Sequence, residues 1–281
     1  MSSSASNVPK AVFPPKGTAY QTADEWYTVL ADMQIATMLF QHNDMVSSED
    51  DCKTKYVARQ LFRRLAKGGR LSSFGFAEDD WSAGQQDAET TRLPMPHRGS
   101  PFPIWPDDFR PANVMFVLDP PWWLLLDVPE MWDDGIDDWT SVYDRRVQTW
   151  FAAMEEAEKD TDEQSKHKTT SATIESRHPL LPLSAYMRES WATGRFWLNY
   201  AARKSWAFDA IYWKYLDQNF FGKRDENIPM HELWKTRVHL LNQERGAMDM
   251  VQIKMEESKE RVLVEWDDAS ARQRLAHFLF E

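Results

Sequence analysis

Trp105-Pro-Asp-Asp-Phe-Arg-Pro-Ala-Asn-Val-Met-Phe116 is the stretch on which the fold of this chain turns. Its last residues open a short apolar run, Val114 to Leu118, bounded by polar and proline-rich sequence, which predicts a β-strand from Asn113 to Leu118. Ahead of the strand two carboxylates, Asp107 and Asp108, precede a turn stiffened by Pro111. Proline restricts the backbone and the strand anchors one end, so such a loop can aim a carboxylate at a hydroxyl and the carboxamide of Asn113 at a metal. The plainer use of the same residues is a turn in which an aspartate bonds its own backbone and Asn113 merely ends the loop.

Outward from this strand the pattern is helical, so the expected fold class is mainly α (α+β). Thr22-Ala-Asp-Glu25 is a capping box that opens an apolar pattern at Trp26, Val29, Leu30, Met33, Ala36, Met38 and Leu39. Ser48-Glu-Asp-Asp51 starts a second helix, with Val57, Leu61 and Leu65 in step and Gly68 as the stop. Residues 70–112 lose periodicity and read as irregular structure. A helix is expected from Asp138 to about Glu158, and the polar tract Lys159 to Thr170 reads as a solvated loop. Ser184 to Leu216 holds long helical segments bent near Gly194, then a charged stretch runs from Pro229 to about Glu260 and a short apolar end from Leu275 to Phe280. Three parts follow: a flexible segment over residues 1–20, a helical lobe over 21–222 and a charged helical extension over 223–281.

Composition excludes several function classes. With 44 acidic and 33 basic residues the formal charge is −11, so no nucleic-acid partner is expected. Tryptophans outnumber glycines, 14 to 10, and the glycines never form a Rossmann fingerprint or a Walker loop. The seven histidines show no zinc-ligand spacing. Cys52 alone permits no internal disulfide, and its charged neighbours place it on a helix surface rather than in a nucleophile's site. No secretory segment or membrane-length apolar run is evident, so a cytoplasmic protein without a membrane partner is expected. The acidic residues Asp127, Glu130, Asp133, Asp134, Asp137 and Asp138 read as a solvated face, with Asp137 or Asp138 as a helix cap.

In protein kinases the catalytic loop reads H-R-D-x-x-x-x-N, the aspartate accepting the substrate proton and the asparagine holding magnesium. Asp108 and Asn113 have that spacing. Residues 107–113, Asp-Asp-Phe-Arg-Pro-Ala-Asn, resemble letter for letter the catalytic loop of fungal phosphotransferases of the aminoglycoside-phosphotransferase group, which share the protein-kinase-like fold. Three further segments resemble the same group: Tyr56 to Leu65, Asp119-Pro-Pro-Trp-Trp-Leu-Leu-Leu126, and Met187 to Trp197 continuing to Trp206. The resemblance spans residues 22–222. It implies the helical C-terminal lobe of a kinase-like fold with a small strand remnant, and aromatics after Ser184 as its core. It further implies Asp108 as catalytic base, Asn113 as magnesium ligand, ATP and Mg2+ as cofactors, and a small hydroxyl compound as substrate.

The chain departs from that family at two points. The group carries a second metal-binding aspartate on a strand after the catalytic loop, whereas here Asn113 and Asp119 are only six positions apart, too few for a hairpin to return a second strand. Asp119 matches the start of the family's D-P-P-W-W segment instead. Upstream of the first helix about twenty residues stand where the family has a nucleotide-covering lobe. Transfer chemistry rests on positioning and charge neutralisation, so these losses predict a degenerate or truncated phosphotransferase with weak or absent activity. The alternative is a catalytically inactive binding or interaction module on the same lobe. Apolar faces left uncovered by the losses predict self-association.

Overall fold

The computed structural model describes residues 8–41, 46–82, 92–96, 104–106, 114–116, 118–120, 136–168, 181–225, 227–241, 244–257, 259 and 265–279. The fold is mainly helical, as its composition of elements shows: α1 (Ala23–Phe40), α2 (Glu49–Lys67), β1 (Ile104–Pro106), β2 (Val114–Phe116), α3 (Ile136–Lys168), α4 (Leu183–Thr193), α5 (Arg195–Arg203), α6 (Phe208–Ile211), α7 (Asp217–Phe221), α8 (Trp234–Arg237), α9 (Glu244–Glu257) and α10 (Asp268–Leu279). No helix among the described residues is long and apolar enough to cross a membrane. The chain forms two compact units, one of residues 1–74, 79–86 and 198–281, the other of residues 75–78 and 87–197.

The first unit is built on α1 and α2, and both begin by the same device. Thr22 Oγ1 accepts from the Glu25 N–H at 3.2 Å, and Ser48 Oγ accepts from the Asp51 N–H at 3.1 Å. In each case the third-position acid reaches one residue beyond the cap, Glu25 accepting from the Gln21 N–H at 2.7 Å and Asp51 from the Ser47 N–H at 2.8 Å. Both acids also sit at the positive end of a helix dipole. α2 ends at Gly68, as its sequence predicts.

The core of this unit gathers Ile35, Met38, Leu39 and Phe40 of α1 with Cys52 and Tyr56 of α2, Met250 and Val251 of α9, and Ala271, Leu275 and Phe278 of α10. Val8 and Val12 join it through a short 3-10 turn, Lys10–Val12, although residues 1–20 read as a flexible lead-in. Two valines four residues apart make that contact, too few to show as periodicity. Cys52 is fully buried, not on the helix surface. The charges that flank it lie on the other faces of α2, as Asp51 and Lys55 do in their i,i+4 pair.

Arg59 ties three helices of this unit together. Its guanidinium is fully buried, donates to Gln34 O of α1 at 3.2 Å and Lys55 O of α2 at 3.0 Å, and makes a two-pronged pair with Asp209 of α6. Its plane lies over the Phe208 ring at 5.0 Å. Gln34 in turn donates to Ala201 O at 3.1 Å and Ala202 O at 3.0 Å, at the end of α5.

Between α6 and α7 the backbone widens into a π-helical turn, Tyr212–Leu216. Carbonyls of this turn accept from side chains: Trp213 O from Arg224, and Tyr215 O from Asn219 at 2.8 Å. Asp217, fully buried, holds Arg224 at 2.8 Å and Arg237 of α8 at 3.0 Å. Of the aromatics expected as core, Phe208, Tyr212 and Trp213 are buried, but Trp206 is half-exposed in the α5–α6 turn.

In the second unit α3 starts at Ile136, so Asp137 and Asp138 lie in its first turn rather than capping it. It runs on to Lys168, through most of the tract that reads as a solvated loop. Glu, Lys and Gln are good helix formers, so a polar tract extends an established helix without needing an apolar face. Tyr143, Val147 and Phe151 are buried at four-residue spacing on α3. Tyr143 stacks on Phe196 at 5.2 Å, and Trp191 packs against both. The bend expected at Gly194 is present, with φ +83° between α4 and α5.

Two measurements test the first unit. Arg59→Ala leaves Asp209 and the Gln34 carbonyl without their donor, and is expected to lower stability by about 3 kcal/mol in urea unfolding. Burial pushes the Cys52 thiol from its ordinary 9 up to about 12. Between those values the unfolded chain releases a proton that the folded chain keeps, so stability falls as pH rises through that window. Cys52→Ala is expected to lose less stability than the native chain from pH 9 to 12, while costing about 1 kcal/mol at pH 7.

Candidate functional site

The strand expected at 113–118 appears as Val114–Phe116, and it has a partner inside the region that reads as irregular. β1 and β2 pair antiparallel, with Ile104 opposite Phe116, Trp105 opposite Met115 and Pro106 opposite Val114. This two-stranded ladder brackets residues 107–113. Asp107, Asp108 and Asn113 themselves lie outside the described residues, as do Asp127, Glu130, Asp133 and Asp134.

What the structure describes is how the flanks of this segment are held. Downstream of β2, Asp119 is buried, 3 % exposed, and Ser190 of α4 donates its hydroxyl to Asp119 Oδ1. Upstream of β1, residues 92–96 form no regular element, and the Leu93 N–H donates to Glu189 of α4. The same strap is fixed by the Ala77 N–H on Leu93 O at 2.8 Å, the Met95 N–H on Glu78 Oε2 at 2.9 Å, and the Tyr186 hydroxyl on Pro94 O at 3.2 Å. Tyr186, Glu189 and Ser190 are spaced i, i+3, i+4, which places them on one face of α4.

Arg195 braces that face from the start of α5. It is 3 % exposed, pairs with Glu189 at 3.3 Å and donates to Tyr186 O at 3.0 Å and Gly75 O at 3.5 Å. Its guanidinium lies 3.8 Å over the Phe76 ring. Burial raises the Glu189 carboxyl above its usual range, with the Leu93 N–H and Arg195 pulling it back. Charge, aromatic face and backbone donor together keep a buried carboxylate satisfied.

A side chain that is buried and engaged with a hydroxyl is poorly placed to coordinate a metal. Among the described residues no group of three or more His, Cys, Asp or Glu side chains gathers to hold one. Sequence reasoning assigned Met187 to Trp197 to a family segment but singled out none of Tyr186, Glu189, Ser190 or Arg195. The available signal is the polar stripe Tyr186, Glu189 and Ser190 at i, i+3, i+4. No family model, no curated protein and no solved structure matches this chain.

Close packing around the strap sets a test. Gly75 has φ +80°, and a Cβ there would lie 2.5 Å from Thr193 Oγ1 and 3.0 Å from Thr193 Cβ. Gly222 has φ +79° with open space around it. Gly222→Ala is expected to cost about 1 kcal/mol from backbone conformation alone. Gly75→Ala is expected to cost a further 1–3 kcal/mol, about the price of overpacking. Thermal unfolding of the two variants measures the difference.

Proposed function

We propose that this chain is a kinase-like phosphotransferase lobe, akin to the aminoglycoside-phosphotransferase group, in which phosphoryl transfer is weak or lost. The observation that supports this reading is the fate of Asp119. It is the first carboxylate after Asn113, and it is buried with the Ser190 hydroxyl on it. A kinase-type site uses two metal-holding side chains to bridge and neutralise the phosphates. With Asp119 committed to packing, this carboxylate is poorly placed to serve as the second of those side chains.

Asp108 is the catalytic base of this reading and Asn113 the surviving magnesium ligand. An aspartate can orient a small hydroxyl substrate and accept its proton, but proton acceptance supplies little without charge neutralisation at the phosphate. The same observation favours a binding or interaction role for the lobe as the second reading.

Isothermal titration with ATP and magnesium, alongside a turnover assay, tests the proposal. The expected result is affinity weaker than micromolar and no turnover above background. Micromolar affinity together with turnover that Asp108→Asn abolishes would overturn it.

A further inference from the structure

We infer that Lys254 makes α9 a charge-sensitive latch on the core of the first unit, docked firmly when its amine is neutral and more weakly when the amine is protonated.

α9 packs against α2, and the layer it covers holds the chain's single cysteine. Met250 and Val251 of α9 share one core cluster with Cys52 and Tyr56 of α2 and with Leu39 and Phe40 of α1. Lys254 enters the same interior from the next turn of α9 and is only 1 % exposed. Its ammonium donates to Gln41 O at 2.6 Å and Leu39 O at 3.4 Å, at the end of α1. Carbonyls at a helix end favour a cation, but they carry only partial charge.

Three titratable side chains face Lys254 among the described residues: Glu257 on its own helix, Arg274 of α10 and Cys52 of α2. Glu257 and Arg274 pair with each other at 2.7 Å, so their charges largely cancel at Lys254. Asp51, Lys55 and Arg59 of α2 act on Cys52, and each is already in an ion pair, Asp51 with Lys55 at 2.9 Å and Arg59 with Asp209. Burial keeps the Cys52 thiol itself neutral. Lys254 is therefore a buried ammonium without a carboxylate of its own, and leaving water costs its charged form more than its neutral one.

Burial accordingly pulls this ammonium from its ordinary 10.5 down to about 8. Below 8 both docked and released α9 carry the proton, and docking bears the full cost of the buried charge. Between 8 and 10.5 released α9 keeps a proton that docked α9 has shed, so docking strengthens as pH rises through that window. From pH 7 to 9 such a shift strengthens docking about tenfold.

Cys52 reports the opening, because α9 helps to cover it and no second thiol competes for a label. Labelling of the native full chain with N-ethylmaleimide, relative to the urea-unfolded chain at the same pH, measures how well the thiol is protected. Protection is expected to rise about tenfold from pH 7 to pH 9. Lys254→Met has no charge to lose, and its protection is expected to stay constant over that range. Lys254→Arg remains charged throughout and is also expected to be flat, below the native chain at pH 9, which keeps the test available should Lys254→Met fail to fold.

Protection in the native chain that does not change from pH 7 to 9, or a rise of the same size in either variant, would overturn the inference. So would protection equal to the global unfolding constant from urea, since the thiol would then be reached by unfolding of the whole unit rather than by release of α9.

Discussion

A guanidinium with no exposure to water is the constraint on which the first unit depends. Arg59 keeps its charge under all ordinary conditions, so every donor it carries into the interior needs an acceptor there. The acceptors come from three places in the sequence: a carbonyl midway along α1, a carbonyl one turn back on α2, and the Asp209 carboxylate. Satisfying that ion fixes how α1, α2 and α6 meet, and Phe208 beneath it meets Phe62 edge-on at 5.3 Å. A hydrophobic residue of the same volume could fill the space, but it would not specify which carbonyls must face it.

The rest of α2 repeats the logic along its length. Arg63 donates to Asp32 of α1 and to Leu279 O, Gln60 donates to Phe278 O, and Arg64 donates to Leu240 O. These carbonyls end α10 and the short turn after α8, where the last acceptors of a helix lack partners of their own. Lys254 of α9 does the same at the end of α1, donating to Gln41 O at 2.6 Å. Burial pulls its ammonium down to about 8. Arg63, Arg64 and Lys254 thus serve as caps to neighbouring helical segments.

Local chemistry was legible in the sequence wherever it acts over three or four residues. The caps at Thr22 and Ser48, the stop at Gly68, the bend at Gly194 and the strand near Val114 all follow from the residues at those positions. What could not be read depends on partners distant in the chain. β1 is three residues long and contains Pro106, so nothing marks it as a strand until β2 lies beside it. Val8 and Val12 are ordinary residues in a proline-rich segment until α10 offers a surface. The burial of Cys52 follows from which face of α2 the first and last helices cover. For the candidate site, the sequence indicates the loop by its spacing, but not the three α4 residues that grip its flanks, because their role lies in what they touch.

The bonds by which α4 holds Leu93 and Asp119 bear on how such a chain could drift. None of these anchoring bonds is made by residues 107–113, so substitutions confined to that segment leave the bonds to α4 in place. Chemistry and foldability are in that sense inherited separately here. A lineage could lose a catalytic group from the loop without any penalty in expression or solubility to expose the loss, and selection on a folded lobe alone would go on preserving the frame after its original task had lapsed.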